Sequence, residues 1–146
     1  PKKEADATFG PMGSTPNQTP PPAPRTIADW VTLAVEVGRW QPWASLERAA
    51  RWWCEYSGIQ YILLLKVSAS ATQIEYRLYD IVTPRVLPQP LRHRIRLRDP
   101  ERPTDNVTFD MHRILSIPAN QPLPNGVNPY AVVNLRSVMN EVISSL

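Results

Sequence analysis

Two segments of the chain are apolar enough to be buried on both faces of a strand: WVTLAVEV over residues 30–37 and IQYILLLKV over 59–67. Between them, Gly38 ends the first segment, and Pro42 opens WASLERAARWWCEY. There Leu46, Ala49, Ala50 and Trp53 recur at i, i+3, i+4, i+7, which predicts a helix to about residue 56, ended by Ser57 and Gly58. Strand, helix, strand in this order is a βαβ unit, which places both strands side by side in one sheet with the helix across them. Two alternating stretches follow, QIEYRLYDIV and LRHRIRLR, separated by a proline-bearing connection that suits an antiparallel pair. Residues 107–115 suit either a strand or a short helix. Near the end, Asn128 reads as an N-cap and Pro129 as the first helical residue. Leu135, Val138, Met139, Val142 and Ile143 supply the helix's apolar stripe. The predicted class is α/β (α+β), a mixed sheet with flanking helices.

At the other end, Ala5, Thr8 and Phe9 around Asp6 predict a short strand. A proline-dense stretch, PMGSTPNQTPPPAPR over residues 11–25, predicts an extended loop. The 146 residues suit one domain able to bury a core, and 42% hydrophobic content argues against wholesale disorder despite 17 prolines. The opening Pro-Lys-Lys, without Met or a signal-like apolar segment, predicts a fragment or processed piece. A single cysteine, Cys54, excludes an internal disulfide and a cysteine-built zinc site. It fits a reducing compartment, so the expected location is intracellular, in nucleus or cytoplasm. The longest apolar run is far short of the roughly 20 residues that span a bilayer, and no membrane association is expected.

Net charge is +3, and all but three of the 16 basic residues are arginine. Modest positive charge permits an anionic partner without requiring one.

The succession of Asp6 in ADATFGP, a proline-rich loop, LAVEVG with Glu36, then LERAARWW and GIQYILLLKV resembles the PD-(D/E)XK restriction-endonuclease-like domain of the kind found in fungal hypothetical proteins. The resemblance covers residues 4–67. It implies a restriction-endonuclease-like core and a Mg²⁺-dependent nuclease acting on nucleic-acid phosphodiesters, in which two strand-borne carboxylates hold the cation and a basic residue stabilises developing charge. Asp6 and Glu36 match the two acidic positions, as metal ligands and catalytic residues. The chain departs at the third position, where the family's lysine, two residues after the second acid, is Gly38. Some relatives recruit a basic residue from the next helix, which nominates Arg51, with Arg48 beside it and Gln41 as a polar neighbour. Arginine stays protonated and can supply electrostatic stabilisation only, so the implied catalytic apparatus is degenerate. Taken by themselves, an Asp near a loop is a turn or cap residue, and Arg51 pairs with Glu47 or Glu55 on a helix surface. Glu36 differs, because a carboxylate within an apolar strand needs a partner or a metal.

A second constellation lies in LRHRIRLR. At strand period Arg92, Arg94, Arg96 and Arg98 share one face at about 6.6–6.8 Å spacing, near the phosphate repeat of an extended nucleic acid. The ladder reads as a backbone-tracking surface or as a solvated sheet face in which Glu75 of the neighbouring strand neutralises one arginine. Trp40, Trp43, Trp52 and Trp53 serve base stacking or packing. Neither His93 nor His112 has ligand-type neighbours at metal spacing. The alternative to a nuclease is a non-catalytic module of the same fold that binds nucleic acid or protein, with a protein partner or homo-oligomer open.

Overall fold

The computed structural model describes residues 5–145. The βαβ unit forms as the pattern predicts. Strand β2 (Leu33–Gly38) leads into helix α1 (Trp43–Cys54) and then strand β3 (Tyr61–Val67), and β2 and β3 are parallel neighbours in register Leu33↔Tyr61 through Gly38↔Lys66. β2 starts three residues later than the apolar run. The chain first makes a 3-10 turn over Ile27–Asp29, and buried Trp30 packs its backbone against Gly10. A Cβ at Gly10 would stand 2.0 Å from the Trp30 carbonyl oxygen, so only glycine permits that approach.

Strand β1 (Ala7–Phe9) pairs antiparallel with β2 on one side, while β4 (Gln73–Asp80) and β5 (Leu91–Arg96) extend the sheet antiparallel on the other, giving the order β1-β2-β3-β4-β5. The sheet is mixed, and its two faces differ.

One face carries Ala34, Ile62, Leu64 and Tyr79, covered by Leu46, Ala50, Trp53 and Cys54 of α1. Leu33, Leu63, Leu65, Tyr76 and Ile95 line the other face. There they meet a second layer of strand β6 (Asn106–Asp110), helix α2 (Met111–Leu115), strand β7 (Tyr130–Asn134) and helix α3 (Leu135–Ser144). β6 and β7 form their own antiparallel pair. The 107–115 stretch therefore supplies both alternatives at once, a strand followed by a helix. Between the layers lies a cavity of about 380 Å³ with wholly apolar lining, including Phe9, Val35, Phe109 and Val133.

The last helix starts six residues later than its sequence pattern suggests. Tyr130–Asn134 is drawn into pairing with β6, because Tyr-Ala-Val-Val is a β-forming run with a partner available. Asn134, not Asn128, then caps α3 by accepting from the Ser137 N–H at 3.0 Å. The fold is a mixed α+β arrangement with a five-stranded mixed sheet and three α-helices, and no helix among the described residues is long and apolar enough to cross a membrane.

Candidate functional site

The β1–β2 register, Ala7↔Val35, Thr8↔Ala34, Phe9↔Leu33, extended by one residue, sets Asp6 directly opposite Glu36. Asp6 itself lies in the bend just before β1, so the two acids share a continued register position and not a strand pairing. Asp6 is exposed, and its Oδ2 accepts from the Val37 backbone N–H at 2.6 Å, standing in for a strand carbonyl just where β1 stops. Glu36 lies under α1 and is 7% exposed; its Oε1 accepts from the indole N–H of Trp53 at 3.3 Å. The glutamate that the apolar run of β2 made conspicuous is thus held by a helix side chain, and the helix stripe explains how: Trp53 lies on the α1 face turned to the sheet.

Two carboxylates at one register position offer hard oxygen donors, and Mg²⁺ is commonly held by one or two carboxylates with its remaining positions left to water and phosphate. Among the described residues, no group of three or more His, Cys, Asp and Glu side chains is arranged to hold a metal ion.

The basic candidates are placed differently. Arg51 is exposed, and at 100° per residue it stands about 160° around α1 from Trp53, so the side chain that reaches Glu36 and the side chain of Arg51 leave opposite sides of the helix. Arg48 is exposed as well and donates to Ser45 Oγ at 3.0 Å. Neither is brought to the acidic pair. Gly38 is tightly covered: a Cβ there would lie 3.0 Å from Gln41 Oε1 and 3.3 Å from both Leu46 methyls, so a larger residue requires these side chains to shift by a few tenths of an ångström. The helix packs where the family's lysine would start. In register with Gly38 on β3 stands Lys66, on the same sheet face as Glu36 and one rung along, with its Nζ 5.8 Å from the Trp43 ring. The signal for Lys66 in the sequence is its alternation with Ile62 and Leu64.

On the far side of β3, the arginine ladder is shorter than its sequence suggests. Arg92, Arg94 and Arg96 share the α1 face of β5, but the strand ends at Arg96 and Arg98 falls in the following turn. A four-rung ladder is therefore corrected to three. Glu75, directly opposite Arg94, pairs with it at 3.4 Å, as strand alternation predicts; Gln73, opposite Arg96, accepts from its Nε at 3.5 Å. Arg92 is opposite Arg77, which is buried, ion-paired with Glu47 and stacked 3.7 Å from the Trp43 ring. Of Trp40, Trp43, Trp52 and Trp53, Trp53 is buried, Trp43 half-buried, and Trp40 and Trp52 are exposed.

Four other polar or titratable residues sit within the packed structure. Burial pushes the Cys54 thiol up, with the nearby Glu55 charge adding to it, which disfavours the thiolate. His112 Nε2 lies 3.0 Å from the Gln121 carbonyl, and His93 Nε2 lies 3.0 Å from Thr104 Oγ1. Asp105 is buried, and its Oδ2 accepts from Arg136 Nε at 2.9 Å and from the Arg102 N–H at 3.1 Å.

Comparison of the chain with protein-family models, with curated proteins and with solved structures finds no match in any of the three.

Proposed function

We propose that this chain is a nuclease-like domain of the PD-(D/E)XK kind, with a restriction-endonuclease-like core, that acts on nucleic-acid phosphodiesters with Mg²⁺ held by Asp6 and Glu36. The observation that supports the reading is the β1–β2 register, which continued by one residue puts position 6 opposite Glu36, with the Asp6 carboxylate on the neighbouring Val37 N–H. When bound there, the cation would polarise a phosphodiester and lower the pKa of a bound water. The chain's own residues do the rest. Trp53 orients Glu36 through its indole N–H, the Val37 N–H orients Asp6, and Lys66 supplies fixed positive charge on the same face. Arg51 is set aside as a catalytic group by its place on the far side of α1.

The packing of Leu46 and Gln41 over Gly38 favours a second reading, a binding module that retains the carboxylates without the lysine. Incubation of supercoiled plasmid and of single-stranded RNA with the protein, with and without Mg²⁺, separates the two. The nuclease reading expects Mg²⁺-dependent cleavage that Asp6→Asn and Glu36→Gln each abolish. Retained binding of both substrates without cleavage would leave the module.

A further inference from the structure

Arg77 and Arg92 are directly opposite one another on β4 and β5 and point to the same sheet face. Facing side chains at such a rung have Cβ atoms about 4.5–5.5 Å apart, and like charges there are destabilising. The surroundings compensate for only one of the two. Glu47 of α1 pairs with Arg77, and the Trp43 ring lies 3.7 Å from its guanidinium carbon. Glu75, the next acid along β4, is engaged by Arg94. The Arg92 side chain is exposed and makes no hydrogen bond or ion pair among the described residues. Lys66 adds a further cation beside Trp43. Both arginine charges act on Tyr79, the next residue of β4 on this face: burial and the Glu47 charge raise its phenol, and the charges of Arg77 and Arg92 act against that rise.

The side chains around this rung are therefore Arg92, Arg77, Tyr79, Glu47 and Trp43, with Lys66, Arg94 and Glu75 at its margin. Arg77 is fixed in place, its side chain only 10% exposed, while Arg92 remains open to solvent. One guanidinium is pre-set and one is available, and a planar fork suits bidentate contact with phosphate oxygens.

We propose that the Arg77–Arg92 rung is a phosphate-binding site that holds the backbone of a nucleic acid, Arg92 making the contact and Arg77 reinforcing it from behind. This deepens the nucleic-acid reading above and rests on it. It also shifts the emphasis of the ladder: Arg94 and Arg96 have partners on β4, whereas the rung that carries surplus charge belongs to Arg92.

Fluorescence anisotropy with a labelled single-stranded oligodeoxynucleotide, titrated over a range of salt, tests the assignment. Arg92→Ala should weaken binding and reduce the slope of log affinity against log salt by about 0.7, the value for one single-strand phosphate contact. Glu47→Gln, which removes the charge neutralising Arg77, should tighten binding severalfold, and Arg92→Lys should keep the slope while losing affinity. Arg94→Ala should change the slope less than Arg92→Ala. A parent protein that binds with a clear salt slope, and an Arg92→Ala variant indistinguishable from it, would overturn this site and leave the nucleic-acid reading intact. A parent that holds no oligonucleotide at low salt would overturn both, including where inorganic phosphate alone still binds.

Discussion

Gly38 is the residue at which chemistry and packing compete. It sits one rung beyond Glu36 on the same face, and Leu46 of α1 and Gln41 just before that helix lie so close that a Cβ would meet them at 3.0–3.3 Å. Gly38→Lys, which restores the residue type the family resemblance implies, is expected to lower stability by about 1–3 kcal/mol through overpacking. Denaturant unfolding of the variant measures this, and a neutral result would mean that the helix yields. Residue-scale features were legible in the sequence only where a pattern made them conspicuous. Glu36 stands out as a charge within an apolar strand, whereas linking it to Asp6 rests on the family resemblance and not on spacing. Lys66 and the Arg77–Trp43–Glu47 contact were not found, because each depends on how α1 lies across the sheet, and that crossing leaves no mark in local sequence.

Elements were read more successfully than residues. The β2–α1–β3 unit has long apolar runs and a clean helical stripe, and for these hydrophobic burial dominates every competing preference. Failure came at the C-terminal helix, where Asn128-Pro129 imitates an N-cap and first helical residue while the following Tyr130–Asn134 segment finds a strand partner in β6. The two assignments predict different capping energetics. Asn134→Ala should cost about 1 kcal/mol, since the side chain accepts from the Ser137 N–H, and Asn128→Ala should be close to neutral. Thermal unfolding of both variants decides between them; the opposite order would return the helix start to residue 128.

Across the whole molecule, the two layers are tied at one end by a buried charge. Asp105, 1% exposed, receives Arg136 of α3, and Arg136 also donates to the carbonyls of Arg96 and Pro100, so a single ion pair links β5, the following turn and the last helix. Burial alone would raise the Asp105 carboxyl. The bond from Arg136 and the Arg102 N–H, with the charges of Arg136 and His93, more than offset this and hold it below the ordinary carboxylate range. A carboxyl depressed in the folded state adds stability above its unfolded pKa and loses that contribution as pH falls through the folded value. Asp105→Asn should therefore cost about 3–5 kcal/mol at neutral pH by leaving Arg136 uncompensated, and much less in acid, where the parent is protonated too. Urea unfolding of parent and variant at neutral and acid pH measures the difference, and a pH-independent gap would contradict it.

The same scale decides the central claim, that Asp6 and Glu36 together hold Mg²⁺. Both isosteric variants suit the test: an Asn at position 6 still accepts from the Val37 N–H, and a Gln at position 36 still accepts from Trp53, so each substitution removes charge while leaving the described hydrogen bond possible. A cation bound only by the folded state raises stability by about 2.7 kcal/mol at a hundredfold excess over its Kd. Thermal unfolding of the parent, Asp6→Asn and Glu36→Gln, each with and without Mg²⁺, is the direct measurement. The parent should be stabilised by Mg²⁺ and neither variant should respond. A parent that ignores Mg²⁺, together with a Glu36→Gln variant strongly destabilised in its absence, would contradict the metal site and make Glu36 a structural carboxylate of the α1 interface.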